Sequence, residues 1–177
     1  MLDLLPLLTR SRPWSISGRR SALLLLALLL PVAASGARAQ DAIEARFVGT
    51  WELRALVMHT ADGRATPFWG EHPVGRLVYD TNGQMIALIM PEARNQADGR
   101  AIPEALQREV TGYYGSYAID TTRQVVTHRV VASVRASESG AIERTFALQA
   151  DQLTLTAHGT RDGAPVTFVL TWQRVQY

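Results

Sequence analysis

His128 stands in an apolar, strand-like run, Val125-Val126-Thr127-His128-Arg129-Val130, and is the residue of this chain best suited to chemistry. An imidazole titrates near neutrality, so it can move a proton or give a polar contact to a ligand. The plainer role is a core histidine bonded to a neighbouring hydroxyl or to water. Arg144 raises a similar question, because it alternates with Ile142, Phe146 and Leu148 and so shares their inward face. A guanidinium buried there is costly unless it meets a carboxylate or an anionic ligand. No acid in the sequence is an obvious inward partner, which favours capture of a ligand carboxylate or water in a cavity. Tyr79, Tyr113, Tyr117, Trp172 and Phe168 are core or wall aromatics that can also line a pocket. Trp69, beside Phe68 in a loop rich in aromatics and prolines, either gates a mouth or covers it.

Other chemistries find little support. His59, His72, His128 and His158 are scattered over loops and different strands without metal-ligand spacing, so no metal site is expected. The chain has no cysteine, which removes thiol catalysis, thiolate metal sites, disulfides and lipid attachment through a thiol. There is no glycine-rich phosphate loop, no Gly-x-Ser-x-Gly elbow and no carboxylate pair at catalytic spacing.

The first 39 residues read as an export signal: Arg10, Arg12, Arg19 and Arg20 precede an apolar run from Ala22 to Ala34, and Ala37-Arg38-Ala39 makes a cleavage site. The apolar run is too short for a membrane span, which needs about 20 residues. Arg19-Arg20 partly fits a twin-arginine signal. A product starting near Gln40 and exported to the periplasm is expected, with residues 40–177 as one domain. All 18 basic residues are arginines, and five of them lie in the leader with one acid. Beyond it 13 arginines face 15 acids, so the basic character belongs to the leader, and neither nucleic acid nor an anionic membrane is a favoured partner.

Strand signals bounded by turn chemistry fill this region. Eight are expected, over about 46–59, 74–80, 84–90, 112–119, 124–135, 141–149, 152–158 and 165–175, with one short helix over 102–110. Asn82-Gly83 marks a tight hairpin. The short connections suit an antiparallel up-and-down meander that closes into a barrel if the first and last strands meet. Alternation puts Phe47, Gly49, Trp51, Leu53, Ala55 and Val57 inside from the first strand, and Phe168, Leu170, Trp172 and Arg174 from the last. Arg174 then stacks on Trp51 beside Gly49 as a structural plug of one end. Pairing Ile119 with Gln124 sets Gly115 opposite His128, where a glycine leaves room for the imidazole or for something beside it.

Phe47-Val48-Gly49-Thr50-Trp51, Pro73-Val74-Gly75-Arg76-Leu77-Val78-Tyr79-Asp80, Gly115-Ser116-Tyr117, Val126-Thr127-His128, Arg144-Thr145-Phe146 and Leu170-Thr171-Trp172-Gln173-Arg174 together resemble the bacterial and fungal lipocalin-like domain proteins. The resemblance runs in order over essentially all of the region after the leader. It implies an eight-stranded lipocalin-type barrel and binding of small hydrophobic molecules, and little about activity. It also opens haem, held by His128 or His158, as a runner-up, although no cofactor is expected. The reading is an exported binding protein for a small hydrophobic molecule, one that can bear a carboxylate, with His128, Arg144, Tyr117, Tyr79, Phe146 and Trp69 as candidate ligand contacts. Two alternatives stand beside it. One is a barrel enzyme of cyclase or isomerase type using His128 as acid and base; the other is a filled barrel acting through its surface.

Overall fold

The computed structural model describes residues 40–95 and 102–176. The expected export signal lies outside these residues. Within them, residues 40–47 form helix α1. The strands are β1 (Gly49–Thr60), β2 (Ala65–Pro67), β3 (Val74–Tyr79), β4 (Gln84–Met90), β5 (Thr111–Asp120), β6 (Val125–Ser133), β7 (Gly140–Gln149), β8 (Gln152–Arg161) and β9 (Ala164–Arg174). One-turn helices α2 (Glu92–Asn95) and α3 (Glu104–Gln107) lie between β4 and β5. Among the described residues no helix is long and apolar enough to cross a membrane.

All strand pairings are antiparallel, and β1 pairs with β9 from Trp51↔Arg174 to Thr60↔Val166, so the sheet closes on itself. Eight strands make the barrel. The short β2 lies beside the second half of β1, at Val57↔Pro67 to His59↔Ala65, where β3 has left that strand. Helix α1 was not anticipated, and Phe47 therefore reaches the core from a helix instead of a strand. The helix near residue 104 is a single turn that starts just after Pro103.

Two bulges reset the expected registers. In β1 the pairing with β9 slips between Leu53 and Ala55, so Arg54 is the extra residue. Leu56, buried like Leu53, takes the inward place expected of Ala55 and Val57. A bulge bends its strand and raises the local twist, as a strand wrapping around a closing barrel requires. The four-residue turn between β5 and β6 sits one residue later than expected, at 121–124, because Gln124 adopts a left-handed conformation, with φ 53°, and leaves the ladder. Asp120 accordingly pairs with Val125, and Tyr117, not Gly115, stands opposite His128. The slip is one residue on each strand, so parity is kept and His128 still points inward.

Gly115 sits at the second bulge, between the pairs Tyr114↔Ala132 and Gly115↔Val130. A Cβ there would lie 1.9 Å from the Arg129 carbonyl oxygen, so the glycine admits backbone and leaves no room beside the imidazole. Gly115→Ala is expected to destabilise the fold by about 2 kcal/mol, the range of overpacking in a close-packed site. Chemical denaturation measures it, and an unchanged midpoint would contradict this account.

The core fills one half of the barrel. Phe47, Trp51, Tyr79, Leu153, Leu155 and Trp172 are at most 2% exposed. Phe47 stands edge-on to Phe146 at 4.8 Å and to Tyr79 at 5.5 Å between ring centroids, so α1 caps this end with an aromatic cluster. The rim is tied by Arg174. Its guanidinium carbon lies 4.2 Å from the Trp51 ring centroid, and its N–H groups donate to the carbonyls of Val48, at 2.7 Å, and Arg46. Gly49 passes under it with φ 138°, where a Cβ would meet the guanidinium at 2.5 Å. Trp51 donates its indole N–H to the Phe47 carbonyl at 2.9 Å, which joins helix to barrel.

Candidate functional site

A row of polar side chains crosses the barrel from the filled half toward the opposite end. His128 is fully buried on β6, between the hydroxyls of two tyrosines. Its Nε2 lies 2.7 Å from the hydroxyl of Tyr79 on β3, and its Nδ1 lies 2.9 Å from the hydroxyl of Tyr113 on β5. Arg144 on β7 donates from Nη2 to the same Tyr113 oxygen at 3.2 Å. Burial, with the nearby Arg144 charge adding to it, pushes His128 down to about 3. Burial likewise raises the Tyr79 hydroxyl well above the usual tyrosine range. The imidazole is therefore neutral at physiological pH, with one ring nitrogen donating and the other accepting.

The tautomer follows from the neighbours. Tyr79 is 1% exposed, and among the described residues its hydroxyl meets no partner but Nε2. A buried O–H left undonated costs about 1–3 kcal/mol, so Tyr79 donates to Nε2. Nδ1–H must then donate to the Tyr113 oxygen, which also accepts from Arg144. The Tyr113 hydroxyl is then the one left without an acceptor among the described residues, so the cost falls beside Arg144 and not at the more deeply buried Tyr79.

Beyond Arg144 the barrel opens into a cavity of about 200 Å³. Leu56, Ile89, Ala157, Phe168 and Leu170 make its walls, and Phe68 and Trp69 roof it. Thr111, Arg135, Glu138 and Arg144 supply the polar lining. The roof is built tightly. Phe68 and Trp69 stack at 5.2 Å, Phe68 meets Phe168 edge-on at 5.1 Å, and the Trp69 indole N–H donates to the Glu109 carboxylate. Trp69 itself is left-handed, with φ 71°, an unusual conformation for a bulky residue. Turning the chain back this way lays the indole across the mouth.

The expected contacts thus separate into three groups. Arg144 and Trp69 line the cavity. His128 and Tyr79 stand behind its floor, both buried and bonded to each other. Tyr117 and Phe146 belong to the filled half, for the Tyr117 ring packs at a tilt against Tyr79 with centroids 4.6 Å apart, its hydroxyl donates to the Asp80 carbonyl at 2.9 Å, and Phe146 stands edge-on to Phe47. Tyr113, read from the sequence as a wall residue, is the member of the polar row that went unrecognised. The signal for it was its parity, because Tyr113, Gly115 and Tyr117 share a face and His128 faces the same interior. Both His128 nitrogens are engaged by tyrosines, which leaves no lone pair for a haem iron. His158 lies on an exposed stretch and bonds Thr167 at 3.1 Å.

A barrel closed at one end by a Trp–Arg plug, with a polar row beneath an apolar mouth, defines a small-ligand barrel class. The family model described as a lipocalin-like domain matches residues 48–175, and the chain belongs to that family. No curated protein matches the chain in sequence.

Proposed function

We propose that this chain is an exported binding protein that holds a small hydrophobic molecule in the cavity under Phe68 and Trp69. The observation that carries the reading is the cavity itself, where apolar walls from four strands converge above the part-buried Arg144. A binding pocket of that kind surrounds an apolar body and fixes one polar end. Export rests on the arginine-rich start, the short apolar run and Ala37-Arg38-Ala39. The periplasm is the compartment this signal implies, and the partly matching twin-arginine pair suggests the route.

His128 fits a positioning role better than an acid and base in this reading, since tyrosines hold both its nitrogens and it does not line the cavity. The surface-acting alternative draws on one feature, an exposed apolar strip of Ile86, Leu88 and Tyr114 on the outer face of β4 and β5.

Native mass spectrometry of protein purified from expression of the full chain, before and after delipidation, is expected to show a small bound species. Ala157→Phe, which fills the cavity, is expected to abolish that species while the protein stays folded. Ligand-induced amide shifts confined to Ile86, Leu88 and Tyr114, with none at Trp69, Phe168 or Leu170, would overturn the cavity reading in favour of the surface.

A further inference from the structure

We propose that the molecule held in this cavity is a small monocarboxylate, with its ionised head on Arg144 and the Tyr113 hydroxyl and its compact apolar body against Leu56, Phe168 and Leu170. The inference rests on the cavity reading above and adds the head group and the size.

The head group follows from what Arg144 lacks. Its one hydrogen bond is to Tyr113, and among the described residues it has no ion pair. The other charges at the mouth are engaged elsewhere. Glu138 accepts from the Ser133 hydroxyl at 2.9 Å, and Arg135 donates to the Arg108 carbonyl at 3.4 Å. A part-buried guanidinium with most of its five donors unmet is a poor structural element and a good receptor for a planar anion.

Tyr113 adds a second, independently derived donor. The bond from Tyr79 fixes His128 as the Nδ1–H tautomer, and that N–H occupies the Tyr113 oxygen together with Arg144. The hydroxyl can then only donate, and among the described residues it has no acceptor. An acceptor of two bonds, one of them charge-assisted, fits this pair; an amine or a second donor does not. His128 and Tyr79 thus act as positioning residues for Tyr113.

Size follows from the volume. About 200 Å³ is below the roughly 300–1,000 Å³ of pockets that enclose drug-sized ligands. It equals the liquid volume of roughly seven waters at ~30 Å³ each. A benzoate or a short branched acid fits such a space under the Phe68-Trp69 roof, whereas a long acyl chain has nowhere to run, because Trp51, Trp172 and Phe47 fill the barrel below.

The experiment is calorimetric titration of protein from the full chain, after delipidation, with benzoate, benzamide and palmitate at pH 7. Benzoate is expected to bind at least tenfold more tightly than benzamide, and palmitate not to bind in the barrel. Arg144→Met is expected to erase the preference for benzoate over benzamide. Tyr113→Phe, which keeps the charge, is expected to weaken benzoate several-fold while a preference for benzoate over benzamide remains through Arg144, so the inference is still tested if one variant fails to fold. Equal binding of benzoate and benzamide would overturn the carboxylate assignment and leave the cavity reading intact. Palmitate binding in preference to benzoate would overturn the size assignment alone. If none of the three binds, the cavity reading itself fails.

Discussion

Lowering the pH from 7 to 4 is expected to cost the folded barrel about 3 kcal/mol through His128 alone. In the folded chain this imidazole is held neutral down to about pH 3, against 6.5 for an ordinary histidine. Between those values the unfolded chain carries a proton that the folded chain refuses, so acid favours unfolding. The contribution is fully present above about pH 6.5 and is lost as the pH falls toward 3, with a slope of roughly 1 kcal/mol per pH unit for one proton. Among the described residues no carboxylate faces the ring to offset this. The groups around it are the Tyr79 and Tyr113 hydroxyls and Arg144, whose charge opposes a second cation. Against a total stability of about 5–15 kcal/mol for a domain, the effect is large.

Denaturant unfolding at several pH values measures it, with His128→Gln as the reference. The variant is expected to lose roughly 1 kcal/mol per pH unit of acid sensitivity between pH 6 and 4. It should also be less stable than the parent at pH 7, because one amide cannot serve both tyrosines as the ring does and a buried hydroxyl is left unpaired. Ring resonances of His128 in the folded protein should stay those of one neutral tautomer from pH 8 to 5. A histidine titrating near 6.5 in the native state would contradict the buried row.

The acid-sensitive row was only half legible in the sequence, and the reason is geometric. Alternation depends on parity alone, so it placed His128 and Arg144 inside and Trp51 under Arg174. Hairpins with strong turn chemistry were equally readable. At Asp80-Thr81-Asn82-Gly83, for example, Asp80 accepts the N–H groups of Asn82 and Gln84 at 2.8 Å each. Opposite partners depend on absolute register, and that is set where the chain departs from ideal strand. The left-handed Gln124 and the bulges at Arg54 and beside Gly115 answer to barrel closure, a long-range demand that no local window contains. Gly115 was therefore read as space for a side chain when it is space for a carbonyl, and Tyr113 was left in the wall. Helix α1 has a similar explanation. Residues 40–47 include only a few apolar side chains, and the helix is held at the barrel end by the burial of Phe47 and the tie from Trp51, contacts made far from its own sequence window.

Trp51→Ala is expected to destabilise the barrel by about 4 kcal/mol, the usual cost of truncating a buried tryptophan, and to do so without altering what the cavity selects. Trp51 is fully buried and carries three connections at once: its ring supports Arg174, its N–H holds the end of α1, and its backbone pairs β1 with both β3 and β9. The first two are lost on truncation. Arg174→Met keeps part of the ring cover but gives up the bonds to Val48 and Arg46, and about 2 kcal/mol is expected. Because the guanidinium sits on the indole, the two substitutions share an interaction, and the double variant should cost less than the sum of the single ones by about 1 kcal/mol. Strict additivity would mean that stacking contributes nothing and that the carbonyl bonds, with the ion pair to Asp151 at 3.6 Å, hold Arg174. The plug lies at the opposite end from Trp69 and the cavity, and Arg144 and Tyr113 do not touch it. Any small carboxylate bound by the parent should therefore be bound by the still-folded fraction of Trp51→Ala with the same preference over its amide, which separates the stability of this barrel from its selectivity.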